Sequence, residues 1–104
     1  MLNQTVIVGR IANEVKLEEY DSKKVVYLNI AVPRNYKNEN GEYETDTFPI
    51  VIWMGIAENT AEYCKKGDLV GIKGRLEMRK DLVEADKIQI VAEKVTFLSS
   101  KGEE

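Results

Sequence analysis

Residues 48–76, FPIVIWMGIAENTAEYCKKGDLVGIKGRL, change hydrophobic period twice. Phe48 to Met54 is a β-branched and aromatic run with Ile50-Val51-Ile52-Trp53 as its body, which reads as a strand. Pro49 cannot donate to a ladder, so it marks an edge or the strand's first residues. From Ala57 to Lys66 the spacing becomes helical, with Ala57, Ala61 and Cys64 on one face and Thr60 alongside. Lys65-Lys66 in the last turn and Gly67 just beyond it favour a helix end there. Asp68 to Leu76 then alternates, Val70, Ile72, Gly74 and Leu76 against Gly71, Lys73 and Arg75, which is strand patterning again.

Working outward, residues 4–12 carry Val6-Ile7-Val8-Gly9-Arg10-Ile11, a strand with a bend or bulge at Gly9. Residues 13–24 are polar and read as a connection. In 25–32, Val26, Leu28, Ile30 and Val32 share one face, opposite Tyr27, Asn29 and Ala31. Residues 33–42 are turn-rich, and Asn40-Gly41 is a strong hairpin signal because both residues tolerate positive φ. Downstream, Arg79-Lys80-Asp81 opens a connection, and a last strand runs from about Lys87 to Leu98. Five strands with one short helix between the third and fourth predict an all-β, five-stranded Greek-key barrel of the OB-fold type, which buries one sheet face without long open edges. An SH3-like barrel lacks the helix, and a ferredoxin-like fold needs two. The expected domain is 1–100, with 101–104 a flexible tail.

With 104 residues the chain supports one domain. Its 43% hydrophobic and 32% charged residues fit a globular protein. Cys64 stands alone, which rules out an internal disulfide and fits a reducing compartment. There is no histidine, so Ser-His-Asp and Cys-His catalysis are excluded, as are zinc sites built on Cys/His clusters. No apolar run approaches the ~20 residues that span a bilayer. The N-terminus lacks a positively charged leader pattern, and a cytoplasmic protein is expected. The net charge of −3 argues against a nucleic-acid partner, but the charge is unevenly spread. Residues 65–80 hold six basic and two acidic residues, a local +4 that leaves −7 for the rest.

A phosphate backbone responds to the local field. Lys65, Lys66, Lys73, Arg75, Arg79 and Lys80 are therefore candidate contacts, with Arg10 and Arg34 at strand ends as weaker ones; a solvated surface explains the same residues as well. Tyr27 opposes the apolar face of its strand, Tyr36 lies in the turn-rich stretch and Trp53 ends the third strand. Flat rings on an open sheet stack on unpaired bases, although Trp53 also suits a core. Tyr20, Tyr43 and Tyr63 read as packing or surface residues. Glu39, Glu42, Glu44 and Asp46 are close together but match no calcium-loop spacing. Cys64, on the apolar helix face, has no partner that would make it a nucleophile. No enzyme, cofactor or metal is expected.

The ordered set Met1-Leu2-Asn3, Val6-Ile7-Val8-Gly9-Arg10, Leu28-Asn29-Ile30-Ala31-Val32, Val51-Ile52-Trp53, Ala57-Glu58-Asn59, Tyr63-Cys64-Lys65-Lys66-Gly67-Asp68, Gly71-Ile72-Lys73-Gly74-Arg75-Leu76 and Val91-Ala92-Glu93-Lys94-Val95 resembles the bacterial single-stranded DNA-binding proteins along nearly the whole chain. The resemblance implies an OB-fold that assembles as a homotetramer and wraps single-stranded DNA during replication, recombination and repair, at the nucleoid. It places Trp53 at a base-stacking position, Tyr36 near another, and Arg79, Lys80 and Lys66 on basic positions beside the DNA. A further platform is expected at Thr47, whereas the aromatic here is Phe48, one step out of register; a one-residue step reverses the face of a strand, so Phe48 stacks only if a bulge intervenes. Asp81 stands where some members have an aromatic, and the connection after it is short. The family's long linker and acidic, Phe-ended tip are not in this sequence, which fits a truncated or short member. The alternatives are an OB module that binds protein, such as a primosome accessory, and an RNA-binding OB domain.

Overall fold

A computed structural model of the chain describes residues 1–79 and 87–101. Its elements are β1 (Thr5–Ile11), β2 (Glu18–Tyr20), β3 (Lys23–Lys37), β4 (Tyr43–Trp53), α1 (Met54–Tyr63), β5 (Leu69–Met78) and β6 (Ile88–Ser99). The strands are ordered β1-β5-β6-β4-β3-β2, and a further β1–β3 pairing closes β1, β5, β6, β4 and β3 into a five-stranded barrel. All pairs are antiparallel except β4–β6, which is parallel through Ile50↔Ile90 and Val51↔Val91. The expected barrel, with its helix between the third and fourth barrel strands, is the one observed.

Alternation builds the core. In the β3–β4 ladder, Val26↔Ile52, Leu28↔Ile50 and Ile30↔Phe48 fall on the inner face. They meet Ile11, Val70, Ile72, Ile90 and Ala92 from the other barrel strands. Burying each such aliphatic side chain contributes about 1.5–3 kcal/mol. α1 packs on β3, β4 and β6 and adds Ala57 to the same core, and Cys64 joins it just beyond the helix.

Two glycines let the barrel close. β1 passes from β5 to β3 around Gly9, where a Cβ would strike the Ala31 carbonyl and the side chains of Ile30 and Val32. At Gly74 the β5–β6 register slips, leaving Glu93 as the extra residue, and a Cβ there would run into the Val91 backbone. Beyond Thr5 the ladder continues through a side chain, since the Asn3 amide donates to Leu76 O (2.8 Å) and accepts from Leu76 N–H (2.9 Å).

Local structure departs from the sequence reading in three places. The 33–37 and 43–47 segments pair as an arm extending the second and third expected strands; their polar sequence hides strands held by backbone bonds and by the Arg34–Asp46 pair across them. The arm's tip is organised by Asn38, whose Oδ1 accepts the N–H groups of Asn40 and Glu42. The two-residue turn with both residues at positive φ is instead Asp21-Ser22, which joins β2 to β3 inside the expected 13–24 connection. Finally, α1 starts at Met54 and ends at Tyr63, with the Cys64 N–H bonded to Thr60 O. Lys65 and Lys66 therefore lie beyond the helix, in a turn closed by Asp68 N–H to Lys65 O. The buried Asp68 carboxylate holds that turn by accepting the Lys65 N–H at 2.9 Å, a bond that competes with helix continuation. Among the described residues no helix is long and apolar enough to cross a membrane.

Candidate functional site

The outer face of the β3–β4–β6 sheet begins where Val25 pairs with Trp53 and Tyr27 with Val51. Val25, Val51 and Val91 are buried there as a small second cluster beneath Trp53. This apolar floor exists because these strands carry β-branched aliphatic residues on both faces, not only on the inward one. Around it Tyr20, Tyr27, Val51, Trp53, Arg79 and Gln89 line a cleft of about 150 Å³. The Tyr20 ring meets Trp53 edge-on, with centroids 6.4 Å apart and planes at 62°, a favourable aromatic geometry. Tyr20 reaches it because the tight Asp21-Ser22 turn folds β2 back against Lys23–Val25.

The structure thus brings together Trp53, Tyr27 and Arg79 from the sequence-predicted set. Tyr20 and Gln89 were not in it. Gln89 shares the parity of Val91, which could have revealed it, whereas Tyr20 sits on a three-residue strand with no apolar pattern.

Tyr36 and Arg34 stand elsewhere, on the arm. A broad recess of about 550 Å³ there is lined by Ile7, Val32, Arg34, Tyr36, Asp46 and Phe48, among others. Phe48 pairs with Ile30 in unbroken register and packs against the core cluster, on the face opposite Trp53 and Tyr27. The register shift in this ladder lies between Pro33 and Lys37, away from Phe48, so no bulge turns its ring outward. Thr47, paired with Ala31, holds the outer position.

The basic candidates divide by partner. Arg34 makes two bonds to Asp46, Nε to Oδ2 and Nη2 to Oδ1, each 3.0 Å, with Glu44 at 3.9 Å and the Tyr36 ring centroid 6.0 Å away. The bond from Arg34 holds the Asp46 carboxyl below the usual carboxylate range. Two of the clustered acids are therefore partners of one arginine. Arg75 is likewise shared by Glu77 at 3.3 Å and Glu93 at 3.6 Å. Arg10 donates to Gly67 O (3.1 Å) and ties β1 to the turn before β5. Lys66 is exposed in that turn, and Lys73 is exposed on β5 between Val6 and Lys94. Lys80 lies outside the described residues. The described part of the basic run, residues 65–79, is thus spread over a turn, a strand and the cleft rather than forming one stripe. Burial, reinforced by Asp68, pushes the Cys64 thiol up, which keeps it protonated and unreactive.

The single-strand binding protein family matches by its family model over residues 2–98. The chain is 37% identical to single-stranded DNA-binding protein B of Bacillus subtilis (strain 168), covering 100% of this chain and 96% of that one. It is 40% identical to the single-stranded DNA-binding protein of Streptococcus mutans serotype c, covering 98% of this chain and 65% of that one. Among solved structures it resembles a deletion mutant of the single-stranded DNA binding protein from Thermus aquaticus, with a TM-score of 0.76 at 23% identity over 97% of this chain and 52% of that one. That last likeness is one of fold.

Proposed function

The chain belongs to the single-strand binding protein family, and from that premise we propose that it binds and protects single-stranded DNA, with little sequence preference, in replication, recombination and repair. The observation that carries this reading is the outer-face cleft, where Tyr27 and Trp53 stand beside Arg79 on an apolar floor. Bases stack on Trp53 and Tyr27, and Tyr36 on the arm offers a further ring. Every base has a π-face, so such binding is tolerant of sequence. Lys66, Lys73, Arg79 and Lys80 meet the phosphates. Arg34 and Arg75 are secondary, because neighbouring carboxylates compete with a phosphate for them, and Arg10, which ties β1 to the Gly67 carbonyl, is secondary too. The protein acts in the cytoplasm, at the nucleoid, as a binder rather than an enzyme.

Copies of the chain assemble, in this reading, as a homotetramer. Support comes from the outer β1–β5–β6 surface, where Val6, Val8 and Leu98 are 66%, 50% and 47% exposed. Val8 and Leu98 flank Gly71, which leaves the surface flat between them.

Trp53 is the sole tryptophan, so its emission reports directly on the cleft. Oligo-dT should quench it, with affinity falling by a log–log salt slope of roughly −0.7 per neutralised phosphate. Trp53→Ala, followed by anisotropy of a labelled oligonucleotide, should lose about 1–3 kcal/mol for one base platform. Absence of both quenching and salt dependence sinks the reading. Tighter binding of structured RNA would move it to an RNA-binding domain, and a protein partner without nucleic-acid affinity to an adaptor.

A further inference from the structure

Among the described residues that line the Tyr20–Trp53 cleft, Gln89 brings the one carboxamide; the other hydrogen-bonding groups there are the two tyrosine hydroxyls, the Trp53 indole N–H and the Arg79 guanidinium. Gln89 lies two positions before Val91 on β6 and so on the outer face, opposite Glu77 of β5. It is half-buried, and its carboxamide makes no hydrogen bond to another described residue. At about 150 Å³ the cleft is smaller than the ~300–1,000 Å³ sites that enclose a whole small molecule. It suits a single planar group that slides against a ring. Tyr20 meets Trp53 edge-on and limits the indole's freedom to swing away, so the stacking surface is held in place.

Resting on the DNA-binding reading above, we propose that this cleft seats one nucleobase per chain, stacked at Trp53 with its edge turned to the Gln89 carboxamide. The chemistry explains why such a contact does not create a sequence requirement. A carboxamide presents one acceptor and one two-proton donor side by side. Each DNA base offers a neighbouring donor and acceptor on its pairing edge, and rotating the amide by half a turn matches either order. Gln89 therefore supplies hydrogen bonds to whichever base is seated, adding affinity that is neither stacking nor charge. Arg79, at the same cleft, is placed to meet the phosphate of that nucleotide.

The test is Gln89→Met, which keeps length and volume but removes both hydrogen-bonding groups. Trp53 quenching is titrated with oligo-dT, oligo-dA and oligo-dC across salt, with and without the substitution. Affinity should fall by about 2- to 10-fold for all three, the range expected for one net hydrogen bond, while the salt slope and the depth of quenching stay as they were. Gln89→Asn serves as the second variant: it keeps the amide on a shorter arm, and should bind no more tightly than wild type, with the same salt slope. An unchanged affinity for Gln89→Met overturns the proposal and leaves the DNA-binding reading intact. A loss confined to one base overturns it too, because that is selective readout. A changed salt slope assigns Gln89 to the phosphate path and overturns it as well. If wild-type protein binds none of the three, both readings fall together.

Discussion

β3 and β4 form one ladder with two unlike faces. On the inner face, Val26↔Ile52 and Leu28↔Ile50 are aliphatic on both sides and closed to water. On the outer face, Val25↔Trp53 and Tyr27↔Val51 set an aromatic ring beside a valine, so that the apolar floor is covered while the rings remain reachable. The two faces are offset by a single residue in sequence. Inner positions contribute to stability through volume; outer ones contribute to binding through shape and exposure. The same valine-rich backbone serves both because β-branched residues suit a strand whichever way they point.

The comparison breaks most visibly on the inner side. Ile52 is fully buried opposite Val26, and Ile52→Ala leaves a cavity in the core cluster. A destabilisation of about 2–5 kcal/mol is expected, read from the urea midpoint at constant slope. Affinity for oligo-dT, measured well below that midpoint, should hold within about twofold, the size of changes usual away from a binding contact. An equal loss of affinity and stability would mean that the two faces are not separable.

Which parts of this arrangement the sequence made legible follows from the same offset. Period-two runs with a buried face, such as Val26 to Ile30, declare themselves, and so does the switch to helical spacing at Ala57. Tyr43 to Thr47 declares nothing, because neither face of the arm is apolar and its pairing rests on backbone bonds and the Arg34–Asp46 pair. The left-handed turn fell to Asp21-Ser22, a less expected pair than Asn40-Gly41, because Asn38 folds its own side chain under the arm's tip. Charge was hardest to place. The five described basic residues of the 65–80 run are separated in space, and the acids that hold Arg34 and Arg75 come from other strands or from two residues along. Face assignment was the most transferable inference: strand parity put Tyr27 outside, and a one-residue count separated Phe48 from Thr47.

That count can be sharpened by building on it. Thr47 is exposed on the outer face, six residues or roughly 20 Å along β4 from Trp53. Thr47→Trp should add a second platform and tighten oligo-dT binding by about 1 kcal/mol, the low end for one stacked base. Phe48→Leu, one position away but on the inner face, should leave affinity where it was. The measurement is anisotropy of a labelled oligonucleotide, because a second tryptophan complicates emission. Should Phe48→Leu weaken binding while Thr47→Trp does nothing, the strand passes along the arm recess and not along the outer face.

The smallest expected effect tests whether the arm takes part at all. Asp46 and Arg34 are only half-buried, so their pair is screened by solvent and contributes little to folding. Its consequence lies in what it withholds: a guanidinium bonded twice to a carboxylate offers less to a phosphate. Asp46→Asn removes the competing charge and leaves Arg34 available. If DNA runs along the arm, affinity should rise modestly and the salt slope should steepen by roughly 0.7, one more neutralised phosphate. If the DNA keeps to the cleft, neither changes. Acidification gives an independent check. Arg34 holds the Asp46 carboxyl below the usual range, so the folded state keeps it ionised where the unfolded chain takes up a proton. The pair's contribution to stability is therefore present in full above the ordinary aspartate range and fades as pH falls through the depressed value. The difference in urea midpoint between wild type and Asp46→Asn should accordingly narrow on acidification, and a difference that widens would place the partner of Asp46 elsewhere.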